Sequence, residues 1–209
     1  MNNKMPINIV KFKKDRGGFT LMEILVVLSI FIILIVMGTD LMIKGLVSSA
    51  FIYEQAEAVQ NGRNAADSLV KEIRKANRAE TGDYLLDTVM PQQLVLYSDI
   101  NSDNFTEKVN YFLDNQTLKR GVIMATGTPI QYPAVNETIT SLANYINNQT
   151  EAIFTYYDKN GQPIANPAAN KQNIRLINLF IKINVTPDRA PQDFILNADV
   201  QIRNLKDNL

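Results

Sequence analysis

The most distinctive stretch of this chain is "RGGFTLMEILVVLSIFIILIVMG", residues Arg16–Gly38. Two glycines follow a basic residue, and the run from Phe19 to Met37 then holds 19 residues with a single charge, that of Glu23. As a helix rising about 1.5 Å per residue, the run is roughly 30 Å long, which matches the hydrocarbon thickness of a bilayer. A buried helix of a small soluble protein is rarely apolar on every side. The run therefore predicts a membrane-spanning helix.

Glu23 is the feature that an ordinary membrane segment does not explain. An ionised carboxylate at the bilayer centre costs about 2.5–3.5 kcal/mol on insertion scales, and less near the edge. A secretory signal peptide has a shorter apolar core, closely followed by small residues at a cleavage site. A plain signal anchor accounts for the basic flank and the apolar run but not for the acid.

Charge is distributed unevenly although the chain has 21 basic and 21 acidic residues. Residues 1–18 carry five Lys or Arg and one Asp, a net charge of +4, which leaves −4 for the rest. A basic segment before a membrane span favours a cytoplasmic N-terminus, with the remainder on the other side of the inner membrane. The acidic remainder argues against a nucleic-acid partner, because phosphate binding needs clustered Lys and Arg.

The chain contains no cysteine and no histidine. It therefore has no disulfide framework and no thiolate metal site. It also lacks the commonest general base and the commonest transition-metal ligand. No carboxylate pair or phosphate-binding loop stands out, so the sequence predicts that the protein is not an enzyme and requires no cofactor.

The stretch quoted above resembles the N-terminal signature of type IV pilins and type II secretion pseudopilins. The shared features are a basic leader, a glycine before the cut, a phenylalanine after it and a glutamate fifth in the mature chain. The resemblance implies that a prepilin peptidase removes the leader, residues 1–18, by cutting between Gly18 and Phe19, and that it methylates the new N-terminus. A buried carboxylate is stabilised by a nearby opposite charge, so Glu23 is expected to pair with the Phe19 ammonium of a neighbouring subunit.

Three later segments resemble the J-type minor pseudopilins and related minor pilins: "YSDINSDNFTEKVNYFLDNQTLKR" (97–120), "FTYYDKNGQPI" (154–164) and "VQIRNL" (200–205). This resemblance implies a subunit present in few copies at the initiation or the tip of a type IV pilus or a type II secretion pseudopilus. Its expected partners are the prepilin peptidase, other pilins or minor pseudopilins and the lipid of the cytoplasmic membrane.

The spacing of apolar residues predicts that the helix continues past the membrane and spans residues 19–78. Residues 19–43 form its membrane and filament core, and residues 44–78 are amphipathic. The predicted buried stripe is Ile52, Ala56, Val59, Ala66, Leu69, Ile73 and Ala76. The charged residues expected on the surface are Glu54, Glu57, Arg63, Lys71, Glu72 and Arg74.

Residues 79–209 are predicted to form an extracytoplasmic, β-rich head, which makes the chain an α+β protein with a pilin-like layout and one core. Alternating apolar residues predict strands at 93–98, 108–113, 117–123, 152–157, 175–185 and 194–204. Turns are expected at "DNQT" (114–117), at "DKNG" (158–161) and between Pro187 and Pro191. The irregular stretch 124–150 includes "TSLANYINN" (140–148) as a candidate short helix.

One loop has the spacing of calcium ligands. Asp99, Asn101 and Asp103 stand at alternate positions, as in the first half of a calcium-binding loop. The glutamate usual at position twelve is replaced by Asn110, although Glu107 could substitute for it. Calcium is therefore a candidate ligand, and the alternative is a solvated turn closed by Asx side chains.

Two other classes of function stay open. The head could act as an adhesin or a DNA receptor at a filament tip. Alternatively, the chain could be a single-pass, membrane-anchored binding domain that joins no filament and keeps its leader.

Overall fold

The apolar run and the segment after it form one helix, α1 (Leu21–Lys75), in the computed structural model, which describes residues 17–187 and 192–205. Most of the expected leader lies outside the described residues. The helix ends three residues before the predicted position, Arg78. Its last turn tightens, and the N–H of Asn77 then donates to the carbonyl of Tyr97 at 2.9 Å instead of continuing the helical ladder. The described residues form two compact units, with the boundary between Ala50 and Phe51.

All strands that follow α1 pair antiparallel, which confirms the α+β class. One sheet has five strands in sequence order, and the other has three, β6-β7-β8. The strands are β1 (Leu86–Met90), β2 (Gln93–Ser98), β3 (Glu107–Asp114), β4 (Thr117–Ile123), β5 (Thr138–Ala143), β6 (Phe154–Tyr157), β7 (Leu176–Ile183) and β8 (Phe194–Gln201). Short 3-10 turns occupy Ala134–Asn136, Lys171–Asn173 and Arg203–Leu205.

Each of the six predicted strands is present, and β2 and β4 have the predicted bounds. Two strands, β1 and β5, were not predicted. The expectation of a short helix at 140–148 is wrong, because residues up to Ala143 continue β5, which pairs with β4. Thr138, Ile139 and Thr140 are β-branched and favour an extended backbone once a neighbouring strand supplies hydrogen bonds.

The two predicted turns that lie within the described residues are confirmed. Asp114 pairs with Thr117, so a two-residue loop joins β3 to β4. Asn115 in that loop has a φ of 54°, a left-handed conformation that Asn tolerates. The carboxylate of Asp158 accepts the N–H groups of Asn160 and Gln162, each at 2.8 Å, and closes the second turn. The third predicted turn, between Pro187 and Pro191, lies mostly outside the described residues, and so does Pro191 itself.

The head has the single core that the sequence predicts. The lower part of α1 contributes Leu69 and Ile73, which are fully buried, and both sheets contribute strand residues to the same cluster. The strand members include Leu94, Leu96, Val109, Tyr111, Leu118, Ile177, Leu179, Ile181, Ile183 and Val200. Burying the side chains of Leu69 and Ile73 contributes about 1.5–3 kcal/mol each.

The buried face of α1 is only half correctly predicted. Ala66, Leu69, Ile73 and Ala76 are buried as expected, but Ile52 is 61% exposed. One turn further along, Ala56 is exposed and Val59 is half-buried. The residues that pack instead are Phe51, Gln55, Ala58 and Gly62.

Two of these residues show why periodicity failed there. A Cβ on Gly62 would lie 2.0 Å from the Cδ1 of Ile183, so the absence of a side chain lets the helix approach β7 closely. The buried side chain of Gln55 accepts the N–H of Val185 at 3.0 Å, which offsets the cost of burying it.

Candidate processing and assembly site

The predicted cleavage site lies just before α1. Residues 17–20 are exposed and not helical, and the side chain of Phe19 is 79% exposed. A Cβ built on Gly17 or Gly18 meets no atom within 4 Å. The peptide bond between Gly18 and Phe19 is therefore open to an enzyme, and the fold itself does not require glycine at either position.

Thr20 and Glu23 begin the helix together. The carbonyl of Thr20 accepts the N–H groups of Glu23 and Ile24 at 3.1 and 3.2 Å, and its hydroxyl accepts the N–H of Glu23 at 3.3 Å. Thr20 is thus the N-cap and Glu23 the third helical residue, the positions that a capping box uses. The carboxylate of Glu23 also lies at the positive end of the helix dipole. Local stabilisation at the start of α1 is thus one physical reason for an acid at this position.

The helix that follows is suited to lipid. α1 contains an 18-residue window with a mean hydropathy of 2.9 and no residue buried within the protein, so it is long and apolar enough to cross a membrane. The two hydroxyl groups between Leu21 and Thr39 are satisfied within the helix. Ser29 donates to the carbonyl of Leu25 at 2.8 Å, and Thr39 donates to that of Val36 at 2.9 Å. Polar groups in hydrocarbon need such internal partners.

Charge returns directly after this segment. Asp40 and Lys44 form an ion pair of 2.7 Å one helical turn apart, and both side chains are exposed. Between Glu23 and Asp40 the helix carries no charged side chain. The two carboxylates therefore mark the ends of a segment that is about as long as a bilayer is thick.

The candidate calcium loop is closed by its own side chains. The carboxylate of Asp99 accepts the N–H groups of Ser102 and Asn104 at 2.6 and 3.1 Å. Asn101 and Asp103 each accept the N–H group two residues further on, at 3.0 and 2.8 Å. These are the contacts of an Asx-closed turn.

Glu107, the candidate substitute ligand, is buried, and its carboxylate accepts the N–H of Ile100 at 2.9 Å. Burial raises the pKa of Glu107; the Ile100 hydrogen bond opposes this, and the nearby charges of Asp103 and Asp99 add to it. In residues 17–187 and 192–205 no group of three or more carboxylates is placed to hold a metal ion.

Calcium binding by Asp99, Asn101 and Asp103 stays a prediction, and a thermal melt tests it. After bound ions are removed with a chelator, added calcium should raise the Tm, since a ligand that binds only the folded state stabilises it. Asp103→Ala should abolish that rise, because it removes the ligand oxygens altogether. Asp158→Ala is the matched control, because Asp158 closes a similar turn outside the candidate calcium loop. An unchanged Tm in the wild type, or an equal rise in all three proteins, would contradict the calcium site.

One polar cluster was missed by the sequence interpretation, which placed Glu72 on the surface. Glu72 is buried on the sheet side of α1, where Arg120 donates to its carboxylate at 2.7 Å. The other carboxylate oxygen accepts the hydroxyl of the fully buried Tyr111. Burial raises the pKa of Tyr111, and the negative charge of Glu72 raises it further, so the hydroxyl stays a donor. The cluster joins α1 to β3 and β4.

Comparison with known proteins agrees with the N-terminal geometry. The model of the prokaryotic N-terminal methylation motif matches residues 13–39, which include Gly18, Phe19 and Glu23. No curated protein matches the chain. This motif supports a type IV pilin-like protein of the kind that a prepilin peptidase processes. The chain thus carries the N-terminal signature of type IV pilin-like proteins on a pilin-like α+β layout.

Proposed function

We propose that the protein is a minor pilin or pseudopilin that a prepilin peptidase cuts between Gly18 and Phe19. The observation that carries the proposal is the methylation motif at residues 13–39. The proposed cut site within it lies in exposed, non-helical chain, just before the exposed apolar part of α1. After the cut, Phe19 bears the new N-terminal ammonium, four residues before Glu23. The basic leader stays in the cytoplasm and the head lies outside the inner membrane.

Assembly then uses the apolar part of α1. Between apolar helices the packing energy changes little as one slides along another, so a buried polar contact is needed to set the register. The Phe19 ammonium of one subunit and the Glu23 carboxylate of its neighbour supply such a contact. The similarity of the head to J-type minor pseudopilins supports a place at the initiation or tip of a type IV pilus or type II secretion pseudopilus, in contact with other minor subunits.

Mass spectrometry of the intact protein tests the proposal. In cells that contain the prepilin peptidase we expect loss of residues 1–18 and a methyl group on Phe19, whereas cells without the peptidase keep the full chain. If the leader remains in both, the filament function is wrong and a membrane-anchored binding domain becomes the better explanation.

Replacing the glycine before the cut should block processing. We expect Gly18→Val to stay at full length in peptidase-positive cells, because the enzyme must approach the backbone where glycine leaves no Cβ. Gly17→Val is the matched control and should be cut normally. Neither position is crowded in the folded chain, so a defect would reflect recognition by the peptidase. Equal cleavage of both variants would contradict the assigned cut site.

A further inference from the structure

The outer edge of β5 has no partner strand among the described residues. β5 is the last strand of the five-stranded sheet, and β4 is its neighbour on one side only. In the part of the chain that the structure describes, no backbone group of Thr138–Ala143 is bonded to another element on the outer side. Residues 138–141 are exposed, and the side chain of Ile139 is 52% exposed. An edge of this kind is a template for another strand.

The other edge strands carry devices that discourage pairing. β1 has a bulge between Leu86 and Thr88, and the carbonyl of Asp87 accepts the ammonium of Lys171. Two backbone groups on the outer side of β6 are occupied. The N–H of Phe154 donates to the carbonyl of Pro91 at 2.9 Å, and the N–H of Ile164 donates to the carbonyl of Tyr156 at 2.9 Å. β8 carries the charge of Asp199. Bulges, covering contacts and charges are the usual protections of an exposed edge.

β5 has little of this protection. It contains no charged residue, no proline and no glycine. The pairing of β5 with β4 is irregular only at Leu142, since Leu118 pairs with Ala143 and Lys119 pairs with Ser141. The remaining residues, Thr138–Ser141, form a regular segment. Three of the four residues in that segment are β-branched or apolar, which favours an extended backbone. Close by in sequence, the side chain of Val135 is 91% exposed.

We propose that this edge pairs antiparallel with the same edge of a second copy of the chain, across a twofold axis. With the axis beside Thr140, Ile139 of one copy lies opposite Ser141 of the other, and Thr138 lies opposite Leu142. A charged edge would then face its own charge, which is destabilising between strands. The uncharged Thr138–Ser141 segment avoids that repulsion and can exchange backbone hydrogen bonds, while Ile139 of each copy loses contact with water. The pairing depends on the fold alone and not on the proposed filament.

Cross-linking of the full chain tests the pairing, because the chain has no native cysteine. Ser141→Cys, treated with a short bismaleimide in an excess of detergent micelles, should give a covalent dimer. Ile195→Cys is the matched control, since Ile195 is a 53% exposed residue of the edge strand β8, and it should stay monomeric. Absence of the dimer from Ser141→Cys, or an equal yield from both variants, would overturn the proposal.

A charge swap separates β5 pairing from contacts through the apolar helix. Ile139→Lys or Ile139→Glu, each added to Ser141→Cys, should lower the dimer yield roughly tenfold, because the two copies then place like charges together. Mixing the Lys and Glu variants should restore it. A yield that Ile139→Lys leaves unchanged would show that α1 alone brings the copies together, and the proposal would be wrong.

Discussion

Glu72→Ala is expected to lower the free energy of unfolding by about 3 kcal/mol. Removing one partner of a buried ion pair costs about 3–5 kcal/mol, because the other charge is left without a counter-charge. The lower end applies here, since the Arg120 side chain is 26% exposed and water can partly solvate it. The hydroxyl of Tyr111 also loses its acceptor at a position with no access to solvent.

Denaturant unfolding of the processed chain in detergent measures this effect, with the fluorescence of the eight tyrosines as the signal. Glu57→Ala is the matched control, because Glu57 lies on an exposed face of the same helix and should change stability by less than about 0.5 kcal/mol. A loss below about 1 kcal/mol in Glu72→Ala would show that the cluster does not hold the helix to the sheet.

A double-mutant cycle identifies which contact carries the loss. If the ion pair is responsible, Glu72→Gln combined with Arg120→Gln should cost less than the sum of the two single variants, by roughly 0.5–3 kcal/mol. Glu72→Gln keeps an acceptor for Tyr111, so it should be milder than Glu72→Ala. Strict additivity would assign the effect to the tyrosine contact instead.

Glu23→Gln is expected to leave processing intact and to remove the subunit from the filament. The variant keeps the size of the side chain and loses its charge, so an incoming Phe19 ammonium would be buried without a carboxylate. Leaving that buried charge unpaired costs about 3–5 kcal/mol. The incorporation of the subunit into filaments should therefore fall on the order of a hundredfold or more.

Immunoblotting of sheared filaments and of the membrane fraction measures this distribution. The mature Glu23→Gln chain should accumulate in the membrane fraction, whereas the matched control Glu57→Gln should reach the filaments like the wild type. Normal incorporation of Glu23→Gln would contradict the pairing. Accumulation of the uncut chain would instead show that the peptidase reads Glu23.

Much of this molecule could be predicted from local pattern. The apolar run, the alternating strand from Phe194 and the turn at Asn115 each depend on residues near one another in the chain, so their periods and conformations can be read directly. The proposed processing site is equally local, because Gly18, Phe19 and Glu23 lie within six residues.

The strand β5 and the buried face of α1 could not be predicted in this way. Thr138–Ala143 becomes a strand because β4 supplies its hydrogen bonds. Gln55 is buried because the N–H of Val185, distant in sequence, reaches its side chain. Helical periodicity counts apolar residues, so it selected Ile52 and passed over a glutamine and a glycine.

Neighbouring residues were enough to predict the long apolar helix, the position of Glu23 in its first turn and most of the strands. Contacts between distant segments instead set which side of α1 faces the head, bury Glu72 against Arg120 and Tyr111, and leave the outer edge of β5 open. The physical reason is that burial and pairing are set by the partner that an element meets. Those partners lie tens of residues away in the chain, where no local period reports them.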